Sequence, residues 1–237
     1  APSARGMVRA PAGHRAGGVT NGILIEAAVD TAEAAHAAVA AGADRLELCA
    51  ELDAGGLTPA LDLLAQLRAD IPAPIFAMVR PRGGDFVYSA RERATMIDQA
   101  RELRRLGAAG LVLGGLRPDG SIDEGLLETL LAAARPVPVT FHRAIDRTAE
   151  PLAALEVLIR HRVDRVLTSG GAASAEGGIP MLAAMIERAT GRITVLPGGG
   201  VNGHNVMRII RGTGAREIHA RCGDDGERIR GIVSGLV

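Results

Sequence analysis

The stretch AAGADRLELC, residues 40–49, reads as the end of an alanine-rich helix, a glycine stop and a short strand. Gly42 stands where a helix terminus wants a left-handed cap, and RLEL alternates charged with apolar residues as a strand with two different faces does. The junction returns at RLGAAGLVLG (105–114), HRVDRVLTSG (161–170) and GTGAREIHA (212–220), with Gly107 and Gly214 in the cap position of the first and last. A repeating helix, stop and strand implies parallel strands joined by helical crossovers.

Outward from these junctions, helical patterns occupy 31–41, 60–69, 90–106, 123–134, 149–161, 178–190, 202–212 and a short final 224–234. Asp30 or Thr31, Thr58 with Pro59, Ser89, and Ser121 or Asp123 are suited to cap their starts. Eight strands alternating with eight helices predict an α/β chain forming a single (β/α)8 TIM barrel over 23–237, with a doubly wound open sheet as the alternative. Residues 1–22 lack periodicity and are rich in Gly, Ala, Arg and Pro, so a disordered N-terminal extension is expected there.

Composition narrows the chemistry. Apolar residues make up 47% but aromatics only 2%, so the core is expected to be aliphatic. Net charge is zero without a polybasic run, which argues against nucleic acid or an anionic membrane surface and leaves small molecules as partners. All 27 basic residues are Arg, and the absence of Lys excludes Schiff-base and lysine general-base chemistry. Two cysteines are too few for a disulfide framework, and no secretory or 20-residue apolar stretch is evident, so a reduced, cytoplasmic protein is expected.

Strand parity says which side chains face the barrel axis. Outward residues pack under helices, where an unpaired charge is costly, so polar positions take the interior or the mouth. Leu46 and Leu48 then face outward and Glu47 and Cys49 inward; Phe141 faces outward and His142 inward; Ile218 faces outward and His219 inward. Glu26 and Arg80 follow the same rule. The interior expected to hold Glu26, Glu47, Arg80, His142 and His219 is either a buried ion-pair network or a catalytic set of acid, base and anion clamp.

The loop RPRGGDFVYSARER (80–93) offers Arg80 and Arg82 as an anion clamp and Asp85 to orient an arginine or bind a hydroxyl. Phe86 and Tyr88 form a lid over a flat substrate or else anchor the loop. Arg143 follows His142 at the end of the fifth strand. Thr168, Ser169, Gly170 and Gly171 after the sixth strand, and Gly198, Gly199 and Gly200 after the seventh, look like an anion cradle of exposed N–H groups. No nucleotide fingerprint accompanies them. Cys49 and Cys222 could ligate Cu(I), and Glu26, Glu47 and His219, on neighbouring strands, could hold a divalent metal.

The blocks ADRLELCAELDAGGLTP, RPRGGDFVYS, LVLGGLRPDGSID, VTFHRAID, VDRVLTSGG and LPGGGVN resemble those of the CutC family, named as copper homeostasis proteins. The resemblance runs from about residue 23 to 221 in order. It implies a TIM barrel, a cytoplasmic location, a homo-oligomer (dimer or tetramer) and copper through cysteines such as Cys49. The motif residues themselves, Arg, Glu, His and Gly, suit a polar anionic or sugar-like molecule better than Cu(I). The leading expectation is an acid/base enzyme, a lyase, isomerase or hydrolase, at the barrel mouth; non-enzymatic Cu(I) binding through Cys49 is the alternative.

Overall fold

The structure, a computed structural model, describes Thr20 and residues 22–237. The disordered extension expected over 1–22 therefore lies, at 1–19 and 21, outside the described residues. Thr20 itself is buried, and its hydroxyl donates to the Ile23 carbonyl.

The first half of the barrel comprises β1 (Leu24–Val29), α1 (Ala32–Ala40), β2 (Arg45–Leu48), α2 (Leu61–Asp70), β3 (Ile75–Met78), α3 (Ala90–Arg105), β4 (Gly110–Leu113) and α4 (Glu124–Ala134). The second comprises β5 (Val139–Phe141), α5 (Pro151–Arg160), β6 (Arg165–Thr168), α6 (Ile179–Ala189), β7 (Thr194–Pro197), α7 (Val206–Thr213), β8 (Glu217–Arg221) and α8 (Glu227–Leu236). Short 3-10 turns follow β2 and β5, at Leu52–Ala54 and Arg143–Arg147. The eight strands form one parallel sheet in the order β7-β6-β5-β4-β3-β2-β1-β8, and β7 lies beside β8, so the barrel is nearly closed.

The junctions work as their residues dictate. Gly42, Gly107 and Gly214 have φ of +102°, +90° and +74°, the left-handed conformation that glycine adopts without penalty. At the junction lacking glycine, Arg162 takes φ +57° and bears that strain. Thr31, Ser89 and Asp123 cap α1, α3 and α4, and Ser89 forms a full capping box with Glu92. Thr58 and Ser121 do not cap. The Thr58 hydroxyl instead donates to Gln99 and accepts from the Arg80 N–H, fastening the end of β3, while Ser121 binds Asp119.

Outward strand residues, among them Ile25, Leu46, Leu48, Leu111, Phe141 and Ile218, join the helices in one aliphatic core. The barrel axis is filled differently. Phe76 points inward, and Gly110 leaves room for it, since a Cβ there would lie 2.5 Å from the Phe76 ring. The guanidinium carbons of Arg45 and Arg165 sit 5.0 and 4.9 Å from the Phe76 ring centroid. Cation–π contacts thus plug the barrel floor, each contributing roughly 0.5–2 kcal/mol.

Candidate functional site

The interior polar residues form a continuous chain from floor to mouth. Arg45 bonds Glu26 through Nε and Glu217 through Nη2, and Arg165 Nε reaches the same Glu217 carboxylate at 3.3 Å. The strand register explains the rest, because Glu26 on β1 is paired with Arg45 on β2 and with His219 on β8. Glu26 Oε1 lies 2.8 Å from His219 Nδ1, and His219 Nε2 lies 3.7 Å from Glu47 Oε2.

Burial and charge give these groups different proton affinities. Burial raises the Glu26 pKa, but Arg45 and His219 more than offset it and bring it down to about 2. Glu47 is pushed up, first by burial and further by Glu26, against the opposing pull of His219. Burial alone disfavours a charged His219, yet the Glu47 and Glu26 carboxylates outweigh it and raise the imidazole pKa. His219 is thus held between an ionised carboxylate and a more basic one, surroundings that favour its protonated form.

Above this chain opens a cavity of about 190 Å³ whose walls include Glu47, Arg80, Phe86, His142, Arg143 and His219. It stands at the C-terminal ends of the strands, the face on which barrel enzymes act. His142 stands at the start of the turn after β5. Gly114 admits its ring, because a Cβ there would lie 2.8 Å from His142 Cε1 and Nδ1. Nδ1 accepts a bond from the Ala144 N–H at 3.3 Å, so the proton of the neutral ring is assigned to Nε2. Burial, then Arg80, drives the His142 pKa down to about 3, so this imidazole is neutral. Phe86 packs 4.9 Å from it, ring centroid to ring centroid. Among the described residues, three buried atoms of the cavity lining have no hydrogen-bond partner: Glu47 Oε1, His142 Nε2 and Arg80 Nε.

The five interior residues expected from parity are thus brought together, with Glu26 beneath and Glu47, Arg80, His142 and His219 on the wall. Other expectations are redistributed. Arg80 spends Nη1 on the carbonyls of Ala54, Gly55 and Gly56 and Nη2 on Gly84, tying the loops after β2 and β3 together. Arg82 is not on the cavity wall; it bonds Glu92, Asp85 and the Val87 carbonyl. Asp85 does orient an arginine, within its own loop. Tyr88 is buried against Arg82 with its hydroxyl facing Arg80, so it anchors the loop, while Phe86 is the aromatic that reaches the cavity.

The glycine loops hold the protein's own side chains. Thr168 Oγ1, the N–H groups of Ser169 and Gly171 and Arg143 Nε all donate to the carboxylate of Asp146. The cradle expected at 168–171 therefore exists and contains Asp146; Gly170 serves the turn with φ +72°. Gly198 gives close approach to Leu167 and His219, and a Cβ on Gly199 would lie 3.5 Å from the Arg143 guanidinium carbon. Gly200 lines the cavity through its backbone.

One atom each from Glu26, Glu47 and His219 lie within 4.8 Å of one another, a hard set of two oxygens and a nitrogen. Both Glu26 oxygens are already engaged, by Arg45 and His219. The two thiols stand in different surroundings. Cys49 belongs to an interior cluster with Phe76, Met78 and Val112, whereas Cys222 belongs to the core beneath the helices. Burial, then Glu47, pushes the Cys49 thiol pKa well above its usual value, against thiolate formation. The residues present do not fit a Cu(I) centre of the expected kind.

Arg45, Glu217, Arg165, Asp146 and the cavity-lining Arg221 and Arg228 escaped the sequence reading. Parity held the signal for two of them, since Arg45 and Glu217 lie two residues before Glu47 and His219 and share their inward face. Asp146 carried no such mark.

Residues 23–223 match the family model described as the CutC family. The copper homeostasis protein cutC homolog of Homo sapiens is 48% identical over 219 residues, 92% of this chain and 80% of that protein. A family protein CutC of Xylella fastidiosa strain Temecula1 is 45% identical over 203 residues, 86% of this chain and 75% of that one. The crystal structure of CutC from Streptococcus agalactiae superposes with a TM-score of 0.78 at 29% identity, covering 83% of this chain and 97% of that one. Phosphoribosylanthranilate isomerase of Thermotoga maritima, at TM-score 0.59, 14% identity and coverage of 90% and 98%, shares the fold alone. The chain belongs to the CutC family, whose curated members from human and mouse are named copper homeostasis proteins.

Proposed function

We propose that this CutC-family barrel is an acid/base enzyme acting on a small anionic or carbohydrate-like molecule in the cavity at the mouth. The observation that carries the reading is the set of unpartnered buried atoms Glu47 Oε1, His142 Nε2 and Arg80 Nε on residues that line one cavity. Leaving such groups unpaired costs about 1–3 kcal/mol each, and a ligand with complementary polar atoms removes that cost.

Each group has a role that its environment favours. Glu47, with its raised proton affinity, takes a proton from a carbon or hydroxyl of the substrate and returns it. His142, neutral, donates Nε2–H to the carbonyl or hydroxyl oxygen on which negative charge develops. His219, tied to Glu26, stands beside Glu47 and stabilises its ionised form. Arg143, paired with Asp146, lines the rim with the remaining N–H groups of its guanidinium. This set supports proton-transfer chemistry, as in an isomerase, lyase or hydrolase. The absence of Lys removes Schiff-base routes, and no step uses copper.

Both cysteines are free and buried, as suits a reducing cytoplasm. Among the described residues, no helix is long and apolar enough to cross a membrane. The test is a set of crystals soaked with small hydroxy- and keto-carboxylates and sugar acids. A ligand bonded to Glu47 Oε1 and His142 Nε2 is expected; ligands that settle only outside the mouth overturn the reading.

A further inference from the structure

Asp146 occupies a position with the chemistry of a bound anion. Its Oδ1 receives Thr168 Oγ1 at 2.5 Å, the Ser169 N–H at 3.1 Å and the Gly171 N–H at 3.2 Å. Its Oδ2 receives Arg143 Nε at 2.8 Å and lies 3.0 Å from Ser169 Oγ. Thr168 and Ser169 are 1% and 0% exposed, so these donors are built into the end of β6 and are not chance surface contacts. Backbone N–H groups in a glycine turn, the Thr168 hydroxyl and a guanidinium form a donor set that recognises a tetrahedral oxyanion, with the Ser169 hydroxyl shared between Asp146 and the Ala172 carbonyl 2.6 Å away. In this chain the set is filled from within, by a carboxylate on the turn after β5.

The occupant also fixes the wall of the cavity. With Nε on Asp146 and Nη2 on Ser169 Oγ, the Arg143 guanidinium is held over Gly199, its carbon 3.5 Å from where a Cβ would stand. Its charge is balanced by Asp146 before a substrate arrives.

We propose that Asp146 is a resident anion that closes a phosphate-type pocket at the strand ends and positions Arg143, so that the site selects small carboxylates or free sugar acids and rejects phosphorylated substrates. The proposal rests on the mouth being the substrate site for its consequence, but the pocket and its occupant stand apart from Glu47 and His142. A second phosphoryl oxyanion brought to this place would meet the Asp146 carboxylate and find its donors already used. Removing that carboxylate frees the donors and leaves Arg143 unbalanced.

The test uses inorganic phosphate as the probe with full-length wild type, Asp146→Ala and Asp146→Ser. Binding is read by calorimetry, and melting temperature is compared in phosphate and in chloride at equal ionic strength. Wild type is expected to show no saturable phosphate binding. Both variants are expected to bind phosphate at least about tenfold more tightly than wild type and to gain melting temperature in phosphate alone. Adding Ser169→Ala to either variant is expected to weaken the binding again. Saturable binding by wild type that Ser169→Ala removes overturns the proposal, as does the absence of phosphate binding and of phosphate-dependent stabilisation in both variants. No turnover is measured, so failure of the acid/base reading leaves this result unchanged, and the converse holds.

Discussion

His142 and His219 line one cavity in opposite electrostatic situations. Burial and Arg80 bring the His142 pKa from an ordinary 6.5 to about 3, whereas the carboxylates beside His219 raise its pKa above 6.5. Nitrogen NMR is expected to show His142 as a neutral Nε2–H ring and His219 as an imidazolium across about pH 5 to 6.5; a titrating His142 contradicts the assignment. The same shifts fix how stability follows pH. As pH falls below 6.5 the unfolded chain protonates His142 before the folded one does, so stability is lost progressively towards about pH 3. Glu26, lowered from 4.5 to about 2, adds a loss between those values. His219 works the other way: its contribution is complete below 6.5 and is lost as pH rises through its raised value. Urea unfolding is therefore expected to show acid lability, and Glu26→Gln is expected to cost about 3 kcal/mol at neutral pH, because it leaves the buried Arg45 with Glu217 alone and His219 without its ionised partner. The inward set was legible residue by residue because a charge on an alternating strand must face the axis. Asp146 was not, because a glycine turn has the same sequence whether it holds a ligand or the chain's own carboxylate.

The turns after the strands are shaped as much by what must be absent as by what is present. Gly114 at the end of β4 carries no functional group, yet it sets the position of His142. Gly114→Ala would place a methyl 2.8 Å from that ring, and a loss of about 1–3 kcal/mol in stability together with weakened ligand binding is expected. Ser89 caps α3 through a box with Glu92, and Glu92 also grips Arg82, so the cap and the loop after β3 share one carboxylate. Ser89→Ala is expected to lower stability by about 1 kcal/mol in chemical unfolding. Helices and strands were legible from the glycine stops and the caps at Thr31, Ser89 and Asp123. Thr58 misled, because a hydroxyl before Pro59 looks like a cap but is drawn instead to the backbone of Arg80, a contact between separate elements. Arg80 and Arg82 misled likewise: two residues of spacing suggest one clamp, whereas their carbonyl and carboxylate partners send them to different neighbours.

The molecule as a whole divides its polar groups by depth. Aliphatic side chains under the helices make the fold, and the Arg45, Glu26 and His219 chain within the barrel carries charge up to Glu47. Buried ion pairs add little net stability, so such a chain is better explained by what it does to the residue at its end. Soft donors are not gathered in the same way, and an anaerobic Cu(I) competition titration is expected to show Cys49→Ser binding no more weakly than wild type. The most direct measurement is solvent exchange: small hydroxy- and keto-carboxylates incubated with the protein in D2O, with loss of the C–H signal followed by proton NMR for wild type, Glu47→Gln and His142→Ala. Expected is exchange of at least one substrate by wild type, reduced about 100-fold or more in each variant. Exchange that survives Glu47→Gln undiminished would contradict the assignment of the barrel mouth as an acid/base site.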